Sequence, residues 1–82
     1  MKILYFARYK EQLGTDQELW TDLGGHQSIA DVVATLKGRG EPWDAVFSSP
    51  NMLIAINQEL ATQESPVSLG DEVAFFPPVT GG

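Results

Sequence analysis

The sequence predicts an α+β domain: a mixed sheet of four to five strands with one main helix laid across one face. Three observations lead there. Ser28 to Lys37 carries a helical apolar stripe between a capping residue and a pair of glycines. Short runs rich in β-branched and aromatic residues flank it on both sides. Finally, the first and last of these runs are apolar on both faces, as strands at the middle of a sheet are. The chain has 82 residues, which suits one small domain and one core.

Ile3 to Tyr9 reads as the first strand. Ile3, Tyr5 and Ala7 point one way, and Leu4 and Phe6 the other. Lys10 to Asp16 is polar around Leu13 and closes on the turn signal Gly14-Thr15-Asp16. A weaker strand, Gln17 to Leu23, completes a hairpin with a long loop. Gly24-Gly25 breaks the chain. Ser28 then caps a helix, with Asp31 placed to reach back to it. Ile29, Val32, Val33 and Leu36 fall at i, i+3, i+4 and i+7 and make the core stripe. Lys37 and Arg39 suit the negative end of the helix dipole, and Gly38 and Gly40 stop the helix. Glu41 to Phe47 reads as a single helical turn, with Pro42 tolerated at its start and Trp43, Val46 and Phe47 plugging one end of the core. Met52 to Ile56 is a third strand, Glu59 to Thr62 a short edge strand through Leu60, and Glu72 to Phe76 the last strand. In the last strand Val73 and Phe75 share one face, Ala74 and Phe76 the other. The first and last strands are expected side by side at the sheet centre. This order and layout resemble the β-grasp fold of ubiquitin.

Composition narrows the function. Hydrophobic residues make up 43% of the chain, which argues against disorder. Eleven acids against five bases leave a net charge of −6. A nucleic-acid backbone needs a cationic face, so nucleic acid is excluded as a partner. There is no cysteine, hence no thiolate nucleophile, disulfide or zinc–thiolate site. Lys2 to Ala7 meets Arg8 before reaching signal-peptide length. No apolar run approaches the roughly 20 residues of a membrane span. A cytoplasmic protein without membrane attachment is the expectation.

No catalyst is visible in the body. His26 is the only histidine; it stands in a loop with no carboxylate or serine at a telling spacing and is expected to be solvent-exposed. The acids are scattered, and paired-carboxylate chemistry needs two held together. Gly24-Gly25 and Gly38-x-Gly40 lack the lysine and hydroxyl of a phosphate loop and read as turns. No bound cofactor or metal is expected.

The tail is different. Phe75-Phe76-Pro77-Pro78-Val79-Thr80-Gly81-Gly82 joins an aromatic anchor, a diproline, a β-branched pair and two glycines. The prolines fix φ and offer no N–H, so they force the chain off the sheet as a stiff stem. Fully extended, residues 77–82 reach at most about 20 Å. Gly81 and Gly82 are thin enough to enter a narrow slot. A terminal Gly-Gly alone is usually only a frayed end. The order of parts argues otherwise, since a frayed end needs neither an anchor nor a stiffener. Residues 1–76 are accordingly expected to form the body and 77–82 the extended tail. The one reactive group left is the terminal carboxylate. An AMP group attached to Gly82 makes it an acyl donor, and a sulfur nucleophile that displaces AMP leaves a thiocarboxylate.

Gly70-Asp71-Glu72-Val73-Ala74-Phe75-Phe76-Pro77-Pro78-Val79-Thr80-Gly81-Gly82 resembles the C-terminus of the small, sulfur-carrying subunits of molybdopterin synthase. Phe6-Ala7-Arg8, Gly14-Thr15-Asp16 and Ala55-Ile56-Asn57-Gln58 support the likeness along the whole chain. The resemblance implies a ubiquitin-like β-grasp carrier with no catalytic residue of its own. Gly82 is then adenylated by a ubiquitin-activating-like adenylyltransferase using ATP and Mg. A sulfur-donating enzyme supplies the thiocarboxylate. The tail, with Thr80, Gly81 and Gly82, enters the large subunit of a heterotetrameric synthase. There it gives sulfur to cyclic pyranopterin monophosphate, in molybdenum cofactor biosynthesis. The family's docking surface is apolar, and its matching positions are Phe6, Leu60 and Phe76. Strand parity places Phe6 and Phe76 opposite the helix-facing Tyr5 and Phe75; plain core packing is the rival reading of Phe76. Three alternatives differ in outcome: a carrier for another pathway, such as thiamine thiazole synthesis, whose tail usually lacks the diproline; a ubiquitin-like modifier of target lysines; and a binding module with an idle tail.

Overall fold

A computed structural model describes residues 1–78; Val79, Thr80, Gly81 and Gly82 lie outside the described residues. The elements run β1 (Lys2–Tyr5), α1 (Ala7–Leu13), β2 (Gln17–Leu19), α2 (Ile29–Lys37), α3 (Trp43–Phe47), β3 (Leu53–Ile56), β4 (Glu59–Ala61) and β5 (Glu72–Phe76). They form a five-stranded sheet in the order β2-β1-β5-β3-β4. β5 lies at its centre, parallel to β1 and antiparallel to β3. The two-faced apolar pattern of the first and last strands therefore has the cause expected of it. They are neighbours, and each also has a second partner. This is the β-grasp architecture.

The core lies between the sheet and α2. Ile3, Tyr5, Val73 and Phe75 from the sheet, and Ile29, Val32 and Leu36 from α2, are fully buried. α2 starts as its sequence dictates: Ser28 Oγ accepts from the Asp31 N–H, and Asp31 reaches back to the Ser28 N–H. Gly38 keeps a right-handed conformation; Gly40, at φ +88°, makes the turn. Phe47 meets Phe75 edge to face at 5.0 Å, and Trp43 meets Tyr5 at 5.6 Å, so α3 closes one end of the core.

The first strand is shorter than its composition suggests. It ends at Tyr5, and α1 occupies residues expected to be strand and polar loop. Tyr9 and Leu13, four residues apart on α1, face the core, and Gly14 at φ +74° caps the helix. Gln17 to Leu23 is likewise shortened: the strand stops at Leu19, although Met1 and Trp20 still exchange backbone bonds of 2.8 Å. The Tyr9 side chain is buried, and its hydroxyl has no hydrogen-bond partner among the described residues. A buried hydroxyl without a partner costs free energy that the apolar ring does not. Tyr9→Phe is therefore expected to stabilise the domain by about 1 kcal/mol, read as a higher midpoint in urea with an unchanged slope.

A polar knot ties β1, β2 and the segment after α2. Glu18 accepts from the Tyr5 hydroxyl (2.9 Å), Trp20 Nε1 (3.2 Å) and Arg39 Nη1 (3.1 Å). The Arg39 guanidinium also lies 4.5 Å from the Trp43 ring centroid. Burial first, and then the Glu18 charge, hold the Tyr5 phenol above its usual range, so it stays a donor. Glu18→Ala leaves a buried hydroxyl without its acceptor and frees Arg39. A loss of about 2 kcal/mol is expected, while Glu18→Gln, which keeps an acceptor oxygen, should lose less. Urea unfolding of the pair checks this.

Candidate functional site

The site begins where β5 ends. Phe75 is fully buried, stacked on Tyr5 at 6.3 Å and against Phe47. The strand that delivers the tail is thus anchored in the middle of the core. Phe76 is half-buried and pairs with Leu53. Pro77 and Pro78 follow, half-buried and outside any strand. The sheet stops where the chain loses its amide donors.

The sheet face opposite α2 supplies the second part. The strand registers set Leu4, Ala74, Ala55 and Leu60 in one row across β1, β5, β3 and β4. Leu53 and Phe76 form the next row, nearer the tail. Phe6 continues β1 in an extended conformation, φ −118° and ψ 156°, so its side chain alternates onto the same face as Leu4. Two alanines make the floor, and large apolar groups make the rim. Leu60 is 77% exposed and Phe6 46% exposed, well beyond what a core role requires. The three positions singled out by resemblance, Phe6, Leu60 and Phe76, thus share one face of the sheet. Thr80, Gly81 and Gly82 lie outside the described residues.

His26 departs from expectation. It is half-buried, with Nδ1 2.6 Å from the Leu23 carbonyl oxygen, Nε2 in contact with Thr35 Oγ1, and its ring edge against Trp20 at 5.0 Å. Since the carbonyl can only accept, Nδ1 carries a proton. The residue pins the Gly24-Gly25 loop to α2. Nothing beside it in sequence signals this, because Thr35 lies a helix away. Among the described residues, no three His, Asp or Glu side chains converge as a metal site does. Nor is any helix there long and apolar enough to cross a membrane.

A central strand running into a glycine-ended tail, on a small sheet crossed by one long helix, defines a ubiquitin-like β-grasp protein. The solved structures agree. SAMP1 from Haloferax volcanii matches with a TM-score of 0.77 and 29% identity, over 100% of this chain and 98% of its own. A structure of H. volcanii small archaeal modifier protein 1 matches with a TM-score of 0.67 and 25% identity, over 96% and 97%. The ThiS family model covers residues 3–82. Molybdopterin synthase sulfur carrier subunits of Haemophilus influenzae and Escherichia coli K12 are each 39% identical over 83 aligned residues, spanning 100% of this chain and 99% of theirs. The chain belongs to the ThiS family, within the group of the molybdopterin synthase sulfur carrier subunits.

Proposed function

We propose that this chain is the sulfur carrier of a molybdopterin synthase and that the carbonyl carbon of Gly82 is its working atom. The observation that carries the reading is the full-length match to sulfur carrier subunits, on a fold whose central strand leads into the tail. Residues 1–76 act as the body and 77–82 as the delivered arm.

The chemistry follows from the carboxylate. An adenylyltransferase partner binds ATP and Mg; the Gly82 carboxylate attacks the α-phosphorus and pyrophosphate leaves. A sulfur nucleophile at the oxidation level of hydrosulfide, supplied by a donor enzyme, then attacks the acyl carbon, and AMP leaves with the electron pair of the broken C–O bond. The thiocarboxylate enters the large synthase subunit, where it gives its sulfur to cyclic pyranopterin monophosphate; two transfers build the dithiolene. The catalytic side chains belong to that subunit. This chain contributes binding: the face of Phe6, Leu60 and Phe76 supplies desolvated apolar contact, and the net charge of −6 steers it toward a basic partner. Thr80 and Gly81 occupy the slot through which Gly82 passes. A cytoplasmic location suits partners that use ATP.

A second reading is kept because a structural relative is called a small archaeal modifier protein. A modifier activates the same carbon but ends in an isopeptide bond. Weighing the intact chain after purification from cells separates the two. Exchange of one oxygen for one sulfur supports carriage. A ladder of conjugates, with no sulfur-bearing form, supports modification and overturns the proposal.

A further inference from the structure

The point where the tail leaves the sheet is also where β1 turns into α1. In the parallel β1–β5 ladder the Phe6 N–H donates to the Phe75 carbonyl at 3.2 Å. Regular parallel pairing would continue with the N–H of residue 77 donating to the Phe6 carbonyl. Residue 77 is proline and has no N–H. The Phe6 carbonyl instead accepts from the Tyr9 N–H at 3.1 Å, which closes the first turn of α1. Between them Ala7 holds φ +54°, a left-handed conformation that strains a non-glycine residue. Strain of that kind persists only where surrounding structure imposes it. Here Phe6 is tied to β5, and Tyr9 is buried in the core.

We propose that Pro77 and α1 are coupled through the Phe6 carbonyl oxygen. By withholding a donor, Pro77 leaves that oxygen to Tyr9. α1 can then start one residue after the sheet ends, and the tail is kept from adding to β1. Pro77 is thus a positioning residue for the proposed sulfur transfer: it fixes the residue at which the free arm begins. Pro78 has a different part. Continued strand alternation would turn its nitrogen to the β3 side, away from the Phe6 oxygen. The value of this division for the tail rests on the carrier reading, but the coupling itself does not.

Amide hydrogen exchange, followed by NMR on the full chain, tests it. Pro77→Ala restores a donor at position 77. The new amide should exchange at least about tenfold more slowly than an unstructured one, and the Tyr9 amide about tenfold faster than in the parent, as protection passes from one donor to the other. Pro78→Ala should leave the Tyr9 amide unchanged. An unprotected amide at position 77 with Tyr9 unaltered overturns the coupling, as does an equal effect from Pro78→Ala. A melting temperature within about 3 °C of the parent is expected for both variants; a larger fall for Pro77→Ala means that the proline supports the body itself, and also overturns it. In a reconstituted synthase, Pro77→Ala should slow transfer at least about tenfold by shortening the free arm. If the parent chain itself never accepts sulfur, the carrier reading fails while the exchange result stands. If the parent is active and Pro77→Ala equally so, the positioning role fails.

Discussion

Deletion of Gly82 will abolish sulfur transfer and leave the body folded. The body owes its stability to a core of Ile3, Tyr5, Val73 and Phe75 beneath α2, with Phe47 sealing one end. Gly82 has no side chain to add to it, and changes away from buried features usually stay within about 0.5 kcal/mol. The melting temperature should therefore move by less than about 3 °C. Transfer has no such tolerance. Losing one residue shortens the reach of the reactive carbon by up to about 3.5 Å, whereas misplacement of about 1 Å can cost a hundredfold in rate. The truncated chain still ends in a glycine carboxylate, so this is a test of reach rather than of functional group. Thiocarboxylate yield and molybdopterin formation should both fall by at least about a hundredfold, measured beside a thermal melt of the same sample. A truncated chain that transfers sulfur at the parental rate is incompatible with the mechanism.

Leu60→Asp should separate docking from folding. Leu60 is 77% exposed on β4, an edge strand, and its register partner is Ala55 on the open face. An exposed leucine adds little to the stability of the isolated chain, so its replacement should change urea unfolding by about 0.5 kcal/mol or less. In a complex the same position must be desolvated. A carboxylate placed there is buried without a partner, and the loss expected of a hot-spot position is about 2 kcal/mol or more, equivalent to about thirtyfold in affinity. Titration against the large synthase subunit should show that loss, with the adenylation of Gly82 by a partner that grips only the tail less affected. Unchanged affinity would remove Leu60 from the docking face. A large loss of stability would mean that it packs within the chain instead.

These two expectations draw on parts of the sequence that were unequally readable. α2 was plain because its cap, stripe and end lie within a single stretch: Ser28 and Asp31 bond each other directly, and the four apolar positions are all buried. β5 was plain because both its faces are apolar and proline ends it. Parity alone set Phe76 apart from Phe75, and the register agrees. α1 was hidden by its neighbours. Phe6 and Tyr9 favour strands, and only the spacing of Tyr9 and Leu13, with Gly14 behind them, marks a helix. What selects helix there is a missing N–H at residue 77, far along the chain. The Glu18 knot was illegible for a similar reason. Its Tyr5 and Arg39 partners are 13 and 21 residues away, and a lone glutamate in a weak strand looks like any solvated acid. His26 looked idle because Thr35 and Trp20 reach it only once the chain has folded.

The most direct measurement is to incubate the full chain with a ubiquitin-activating-like adenylyltransferase, ATP, Mg and a sulfur source, then fragment the product in a mass spectrometer. One sulfur in place of one oxygen is expected, confined to the fragment that contains Gly82 and formed only when ATP is present. Sulfur attached elsewhere, or a chain that adenylates and never gains sulfur, would contradict it.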